Sequence, residues 1–264
     1  MTMPTGQFAW YELMTSDPQG AAAFYQGLLG WTGAPFAGGD GAPYLVMRAS
    51  AGEVGGIMPL PPEAPAMPPC WVGYIGSAGV DADVARLTAA GGTLVRAAED
   101  VPGVGRFAVM HDPGGATFLL LESRGDDPDA VPPPMAIGHV GWHELYSGNF
   151  DADLHFYIGA FGWSKGDAMD MGAMGTYQLV SQTGATDFAG MSGGIMPRPA
   201  EMPVPAWLFY FVVADIDAAV ECVTAGGGRV LNGPMEVPGG AWIIQAIDPQ
   251  GAMFALVGGR GESA

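Results

Sequence analysis

Apolar and polar positions alternate from Phe8 to Met14, then change to helical spacing in the segment QGAAAFYQGLL. A period of two marks a strand with one buried face, and the change to 3.6 marks an amphipathic helix. Between them stands Ser16-Asp17-Pro18. A Ser or Asp side chain accepts from a free N–H of the first turn, and proline's fixed φ suits that turn, so a helix starts here. Gly30 ends it. Short strands are expected near Tyr44–Arg48 and Glu53–Met58, followed by a proline-rich crossing from Pro59 to Pro69. A strand at Trp71–Ser77, a helix over Asp81–Ala90 closed by Gly91-Gly92, and strands near Thr93–Arg96, Arg106–His111 and Thr117–Leu121 complete the first half. The order β-α-β-β-β thus occurs twice in succession.

The second half repeats the first. FAWYELMTSDPQGAAAFYQGLLGW (Phe8–Trp31) returns as VGWHELYSGNFDADLHFYIGAFGW (Val140–Trp163). Phe24-Tyr25 maps to Phe156-Tyr157, GGIMP at Gly55–Pro59 to Gly193–Pro197, Trp71 to Trp207, and Asp112-Pro113 to Asp248-Pro249. A unit of about 120 residues is too long for a solenoid repeat and reads as a duplicated domain. GDDPDAVPPPMAIG, with three successive prolines and several acids, reads as an extended linker. The expected boundaries are a first domain over 6–124, a linker over 125–136 and a second domain over 137–260. Helices are too few for a doubly wound parallel sheet, which leaves an α+β fold of mixed sheets with outer helices.

Composition narrows the function classes. With 49% apolar residues the chain can build a core, and 43 glycines with 23 prolines fit many short strands and turns. Nine basic against 27 acidic residues give a net charge of −18, which would repel nucleic acid and anionic membranes. Cys70 and Cys222 form no metal-type or redox-type spacing. No signal-type segment or bilayer-length apolar run is visible, so a cytoplasmic location is expected.

The segments TSDPQGAAAFYQGLLGW, VDADVARLTAAGG and HDPGGATFLLLES resemble the vicinal oxygen chelate superfamily of glyoxalases, bleomycin-resistance proteins and extradiol dioxygenases. NFDADLHFYIGAFGW, DIDAAVECVTAGGG and DPQGAMFALV carry the same resemblance in the second half. The resemblance implies four βαβββ modules forming two curved-sheet clefts, each able to hold a small molecule and, in many members, a divalent metal. The metal ligands of such members would fall at Trp10 and Trp142 on the first strands, near Val72 and Leu208 on the middle strands, and at Leu119 and Ala255 on the last strands. None of these side chains binds a cation. The four histidines, His111, His139, His143 and His155, occupy no mapped ligand position. The expectation is therefore no metal and no cofactor.

Strand alternation groups Trp10, Glu12 and Met14 on one face, and Trp142, Glu144 and Tyr146 on one face, with His143 opposite. Glu12 and Glu144 are the candidate catalytic residues, because an apolar wall raises a carboxyl pKa and makes it a usable base. The other reading is an acid that only stabilises its strand. Trp10, Met14, Leu119, Trp142, Tyr146, Met174 and Trp242 are the candidate ligand-binding residues. The indoles of Trp10 and Trp142 either stack on a flat ligand or fill the space of the missing cation. Met169, Met171, Met174 and Met191 form either an adaptable apolar lining or a surface loop. Trp242 matches Arg106 in the first half, so the two clefts should differ.

Three functions remain open: a metal-independent lyase or isomerase using a cleft glutamate, a protein that sequesters a drug or metabolite, and a metal-dependent glyoxalase I or dioxygenase. The expected partner is a small molecule, with no nucleic acid or membrane, in a monomer that pairs its own domains or in a dimer. Elemental analysis of the purified protein checks the metal expectation. Zn, Ni, Fe and Mn should each fall well below one equivalent per chain, and stoichiometric metal overturns the mapping.

Overall fold

A computed structural model describes residues 4–36, 43–62, 64, 66–124 and 132–261. In the N-terminal half β1 (Phe8–Thr15) leads into α1 (Pro18–Leu29), then β2 (Thr32–Pro35), β3 (Leu45–Ala49) and β4 (Gly52–Pro59). The order recurs as β5 (Cys70–Gly76), α2 (Val80–Ala89), β6 (Thr93–Val101), β7 (Gly105–His111) and β8 (Thr117–Ser123). In the C-terminal half come β9 (Val140–Ser147), α3 (Phe150–Phe161), β10 (Ser164–Asp170), β11 (Thr176–Ser181) and β12 (Gly193–Pro197). The last module is β13 (Ala206–Asp215), α4 (Ile216–Ala225), β14 (Arg229–Glu236), β15 (Trp242–Ile247) and β16 (Met253–Gly259).

The strands form two mixed eight-stranded sheets, ordered β2-β3-β4-β1-β5-β8-β7-β6 and β10-β11-β12-β9-β13-β16-β15-β14. The first and last strands of a module pair in parallel, as β1 does with β4 and β13 with β16, while the strands between them pair antiparallel. The expected α+β class is what forms. The expected helix ends are also present. Asp17 accepts from Gly20 N at 3.0 Å, Asn149 accepts from Ala152 N at 3.4 Å, and Gly30 and Gly162 close their helices at φ 68° and 71°. Strand β2 escapes hydropathy patterning because all four residues are exposed. It forms by pairing with β3, not by burial. The linker residues 125–131 lie outside the described residues.

Packing divides the chain differently from the repeat. One compact unit comprises Met1–Trp10, Val72–Pro128 and His143–Trp207, and the other Tyr11–Trp71, Asp129–Trp142 and Leu208–Ala264. Each unit therefore combines a module from each half.

The duplicated motifs explain this exchange. In the second unit, Tyr25 on α1 donates its hydroxyl to Asp248 Oδ2 at 3.2 Å and accepts from Trp71 Nε1 at 2.9 Å. Phe24 packs edge-on against Phe254 of β16, and Trp31 packs on Phe211 while donating Nε1 to Gly138 O at 2.8 Å. In the first unit the same parts recur. Tyr157 donates to Asp112 Oδ2 at 3.1 Å and accepts from Trp207 Nε1 at 2.9 Å. Phe156 meets Phe118, and Trp163 donates to Gly6 O at 2.7 Å. Trp31, Trp71, Trp163 and Trp207 are all buried, so these four repeated indoles are core residues.

The units differ at one point. In the first, Asp153 on α3 accepts from Ser147 Oγ at 2.5 Å and from Gly114 N at 2.6 Å. The matching helix position in the second unit is Ala21. Burial, then the charge of Asp153, pushes Asp112 up to about 7, and burial raises Asp153.

Two predictions follow from these buried bonds. Tyr25→Phe or Tyr157→Phe leaves a buried carboxylate oxygen and an indole N–H unmatched. Each substitution should lower unfolding free energy by about 1–3 kcal/mol in denaturant titrations. For Asp112 the folded pKa lies above the unfolded one, so its contribution is fully present below the unfolded pKa and is lost as pH rises through 7. Asp112→Asn should flatten the fall in stability between the ordinary Asp pKa of about 3.9 and that point. An unchanged slope in urea midpoints contradicts the assignment.

Candidate functional site: a buried acid on each first strand

Tyr11, Leu13 and Thr15 are buried on one face of β1, and Tyr11 packs edge-on against Phe209. The alternation therefore places Trp10, Glu12 and Met14 on the other face. Trp10 and Met14 are half-buried, and Glu12 is only 8% exposed. On β9 the face opposite Trp142, Glu144 and Tyr146 holds His143 and Leu145. His143 stacks on Phe8 at 4.9 Å, with Nδ1 2.9 Å from Ser192 O, and burial pushes it down to about 4. It is a neutral core histidine. Glu144 is 6% exposed and Tyr146 is buried, so neither acid faces bulk water.

Each acid lies beside a glycine in a parallel ladder, Glu12 opposite Gly56 and Glu144 opposite Gly194. A Cβ on Gly194 would lie 2.1 Å from the Tyr177 ring, and one on Gly56 would lie 1.9 Å from Tyr44 Oη. The preceding glycines meet backbone, with a Cβ on Gly55 2.0 Å from Tyr11 O and one on Gly193 2.4 Å from His143 O. The GGIMP repeat is thus a strand whose two glycines serve different neighbours, one the adjacent backbone and one an aromatic ring. Across Gly194, Tyr177 donates to Glu144 Oε2 at 3.0 Å. Tyr44 and Tyr177 were not singled out from sequence. The available signal was a tyrosine immediately before the residue that pairs with the isoleucine of each GGIMP, Leu45 with Ile57 and Gln178 with Ile195.

On the last strands the mapped ligand positions carry apolar side chains. Leu119 is buried opposite Tyr74, and Ala255 is fully buried opposite Tyr210 and Gln245. Gln245 Nε2 donates to Tyr210 Oη at 2.8 Å, a polar pair absent from the first half, where Val109 holds the Gln245 position. Cys70 opens β5, and burial followed by the charge of Glu12 pushes its thiol up to about 11. Ala206 takes its place in the second half.

Two further candidate ligand-binding residues are Trp242 and Met174. Trp242 shares a strand face with the core residues Ile244 and Ala246, opposite Gln245, and stacks under the Arg260 guanidinium at 4.4 Å. Arg260 in turn pairs with Asp217 at 2.7 Å. Met174 ends a short 3₁₀ turn, Gly172–Met174, and is 52% exposed. The methionine-rich segment forms β10, this turn and β11, with Met171 exposed and Met191 buried.

The donor set does not fit the family's metal. An indole N–H donates and has no lone pair for a cation, and Leu119, Ala255, Val72 and Leu208 are buried hydrocarbons. Among the described residues no group of three His, Cys, Asp or Glu is placed to hold an ion. Among the same residues no helix is long and apolar enough to cross a membrane.

The fold agrees with comparison to known proteins. A glyoxalase-like domain matches residues 10–121, and the glyoxalase/bleomycin resistance protein/dioxygenase superfamily matches residues 136–256. The chain belongs to this superfamily, with two such regions in tandem. It is 32% identical to a putative glyoxylase, CFP32, of Mycobacterium tuberculosis, over 94% of this chain and 93% of that protein. It is likewise 32% identical to the anthracycline biosynthesis protein DnrV of Streptomyces peucetius, over 96% and 93%. Among solved structures, the Mn(II)-bound glyoxalase from Novosphingobium aromaticivorans gives a TM-score of 0.68 at 16% identity, over 98% of this chain and 83% of that one. The 2,3-dioxygenase LapB from Pseudomonas sp. KL28 gives 0.69 at 15%, over 100% and 96%. At such identities these structures establish the shared fold alone.

Proposed function

We propose that the protein binds a small, partly apolar organic molecule against the strand faces that carry Glu12 and Glu144. On this reading one of these acids accepts a proton or a hydrogen bond from the ligand without a metal. The carrying observation is the burial of both carboxylates on faces shared with half-buried indoles, Trp10 and Trp142. A desolvated carboxylate beside an aromatic surface suits a ligand that is flat and bears an O–H, an N–H or an acidic C–H. An anionic ligand would be repelled by the net charge of −18. The name of the anthracycline biosynthesis relative points to planar polycyclic ligands, and that of the putative glyoxylase to small carbonyl compounds.

The unsuitable donor set at the mapped metal positions supports the metal-free reading. A second reading, sequestration without turnover, is favoured by His143, which faces the core away from Glu144 and adds no proton carrier to that face. We also propose that the chain works in the cytoplasm as a monomer, since each compact unit already draws on both halves.

The test is titration with an anthracycline and, separately, incubation with a 2-oxoaldehyde. A hydrogen bond to a charged group is worth about 1.5–3 kcal/mol, so Glu12→Gln or Glu144→Gln should weaken binding about tenfold to a hundredfold in the working half. Turnover that survives chelator and disappears with the same substitution identifies the enzyme. Binding without product identifies sequestration. Unchanged behaviour in both variants removes the proposal.

A further inference from the structure

We infer that Tyr177 is a positioning residue for Glu144 and that Gly194 exists to seat it. This inference rests on the reading of Glu144 as the acid that meets the ligand. Three independent geometric facts converge here. Tyr177 Oη donates to Glu144 Oε2 at 3.0 Å, within a buried setting. Gly194 is the ladder partner of Glu144, and the Tyr177 ring crosses the place where its side chain would be, with Cε1, Cζ and Oη 2.1, 2.2 and 2.4 Å from an added Cβ. The arrangement is also built twice. Tyr44 lies over Gly56, the ladder partner of Glu12, with Cζ 2.1 Å and Oη 1.9 Å from an added Cβ.

The physical consequence concerns both orientation and charge. A hydroxyl donating to one carboxylate oxygen fixes the rotation of the carboxyl group, so the orientation presented to a ligand is set before binding. A donor to a carboxylate also favours its ionised form. Tyr177 therefore acts through Glu144 and not on the ligand itself. Gly194 contributes by having no side chain, because any Cβ there would lift the ring from the sheet. Backbone conformation is not the reason for the glycine, which belongs to a regular parallel ladder.

The test uses the full chain with ¹³C-carboxyl-labelled glutamate, the Glu144 signal being assigned by its loss in Glu144→Gln. Tyr177→Phe should raise the Glu144 titration midpoint by about one pH unit, the size of one net hydrogen bond. Gly194→Ala, which keeps both polar groups but displaces the ring, should raise it in the same direction. A tyrosine that served only packing would leave the midpoint where it is in Tyr177→Phe, and that result overturns the inference. The NMR readout needs no ligand, so it is separate from the proposed function. If Glu144→Gln leaves anthracycline binding unchanged while Tyr177→Phe still moves the midpoint, the functional reading fails and the positioning relation stands.

Discussion

The tyrosine–aspartate bond, made once in each compact unit, is the constraint on which the rest of the structure depends. Tyr25 reaches Asp248 and Tyr157 reaches Asp112, and in both cases helix and turn come from opposite halves of the duplicated sequence. A buried phenol needs an acceptor and a buried carboxyl group needs donors. Each Oδ1 is met within its own turn, by Ala116 N and by Ala252 N, but each Oδ2 and each phenol proton find their partner only in the other half. The indoles of Trp71 and Trp207 complete each bond by donating to the phenol. The repeated FY and DP motifs are thus answered by one another, across halves.

That division of labour separates two kinds of duplicated residue. Phe24, Tyr25, Trp31 and Trp71, with their copies, hold modules together, whereas Glu12 and Glu144 stand on the opposite faces of their strands. The family's metal positions belong with the acids, yet in this chain they carry indoles and hydrocarbons. The residues that hold the fold, by contrast, are the same in both halves of the chain. Cys70, the Gln245–Tyr210 pair and Trp242 each occur in only one half.

Much of the fold was legible in the sequence because its signals are local. Asp17 and Asn149 as caps, Gly30 and Gly162 as terminators, and alternation along β1 and β9 each depend on a few neighbouring residues. Strand β2 was not legible, since four exposed residues carry no pattern and only the pairing with β3 defines them. The exchange of modules between halves was not legible either, because nothing in the spacing of Tyr25 and Asp248 says which copy answers which. The candidate site divides in the same way. Placing both glutamates on one face with an indole needs only a period of two. Tyr177 was missed because its contact crosses the intervening strand β12.

The glycine beside each acid has a wider consequence. Where a ring rests directly on peptide, the tyrosine covers the main chain beside the acid, and any side chain added at the glycine must push the ring away. Difference between the two copies then comes from residues such as Cys70 or Gln245 that only one copy possesses. A fused duplicate has freedom of that kind: one copy can be refitted while its twin keeps the original design.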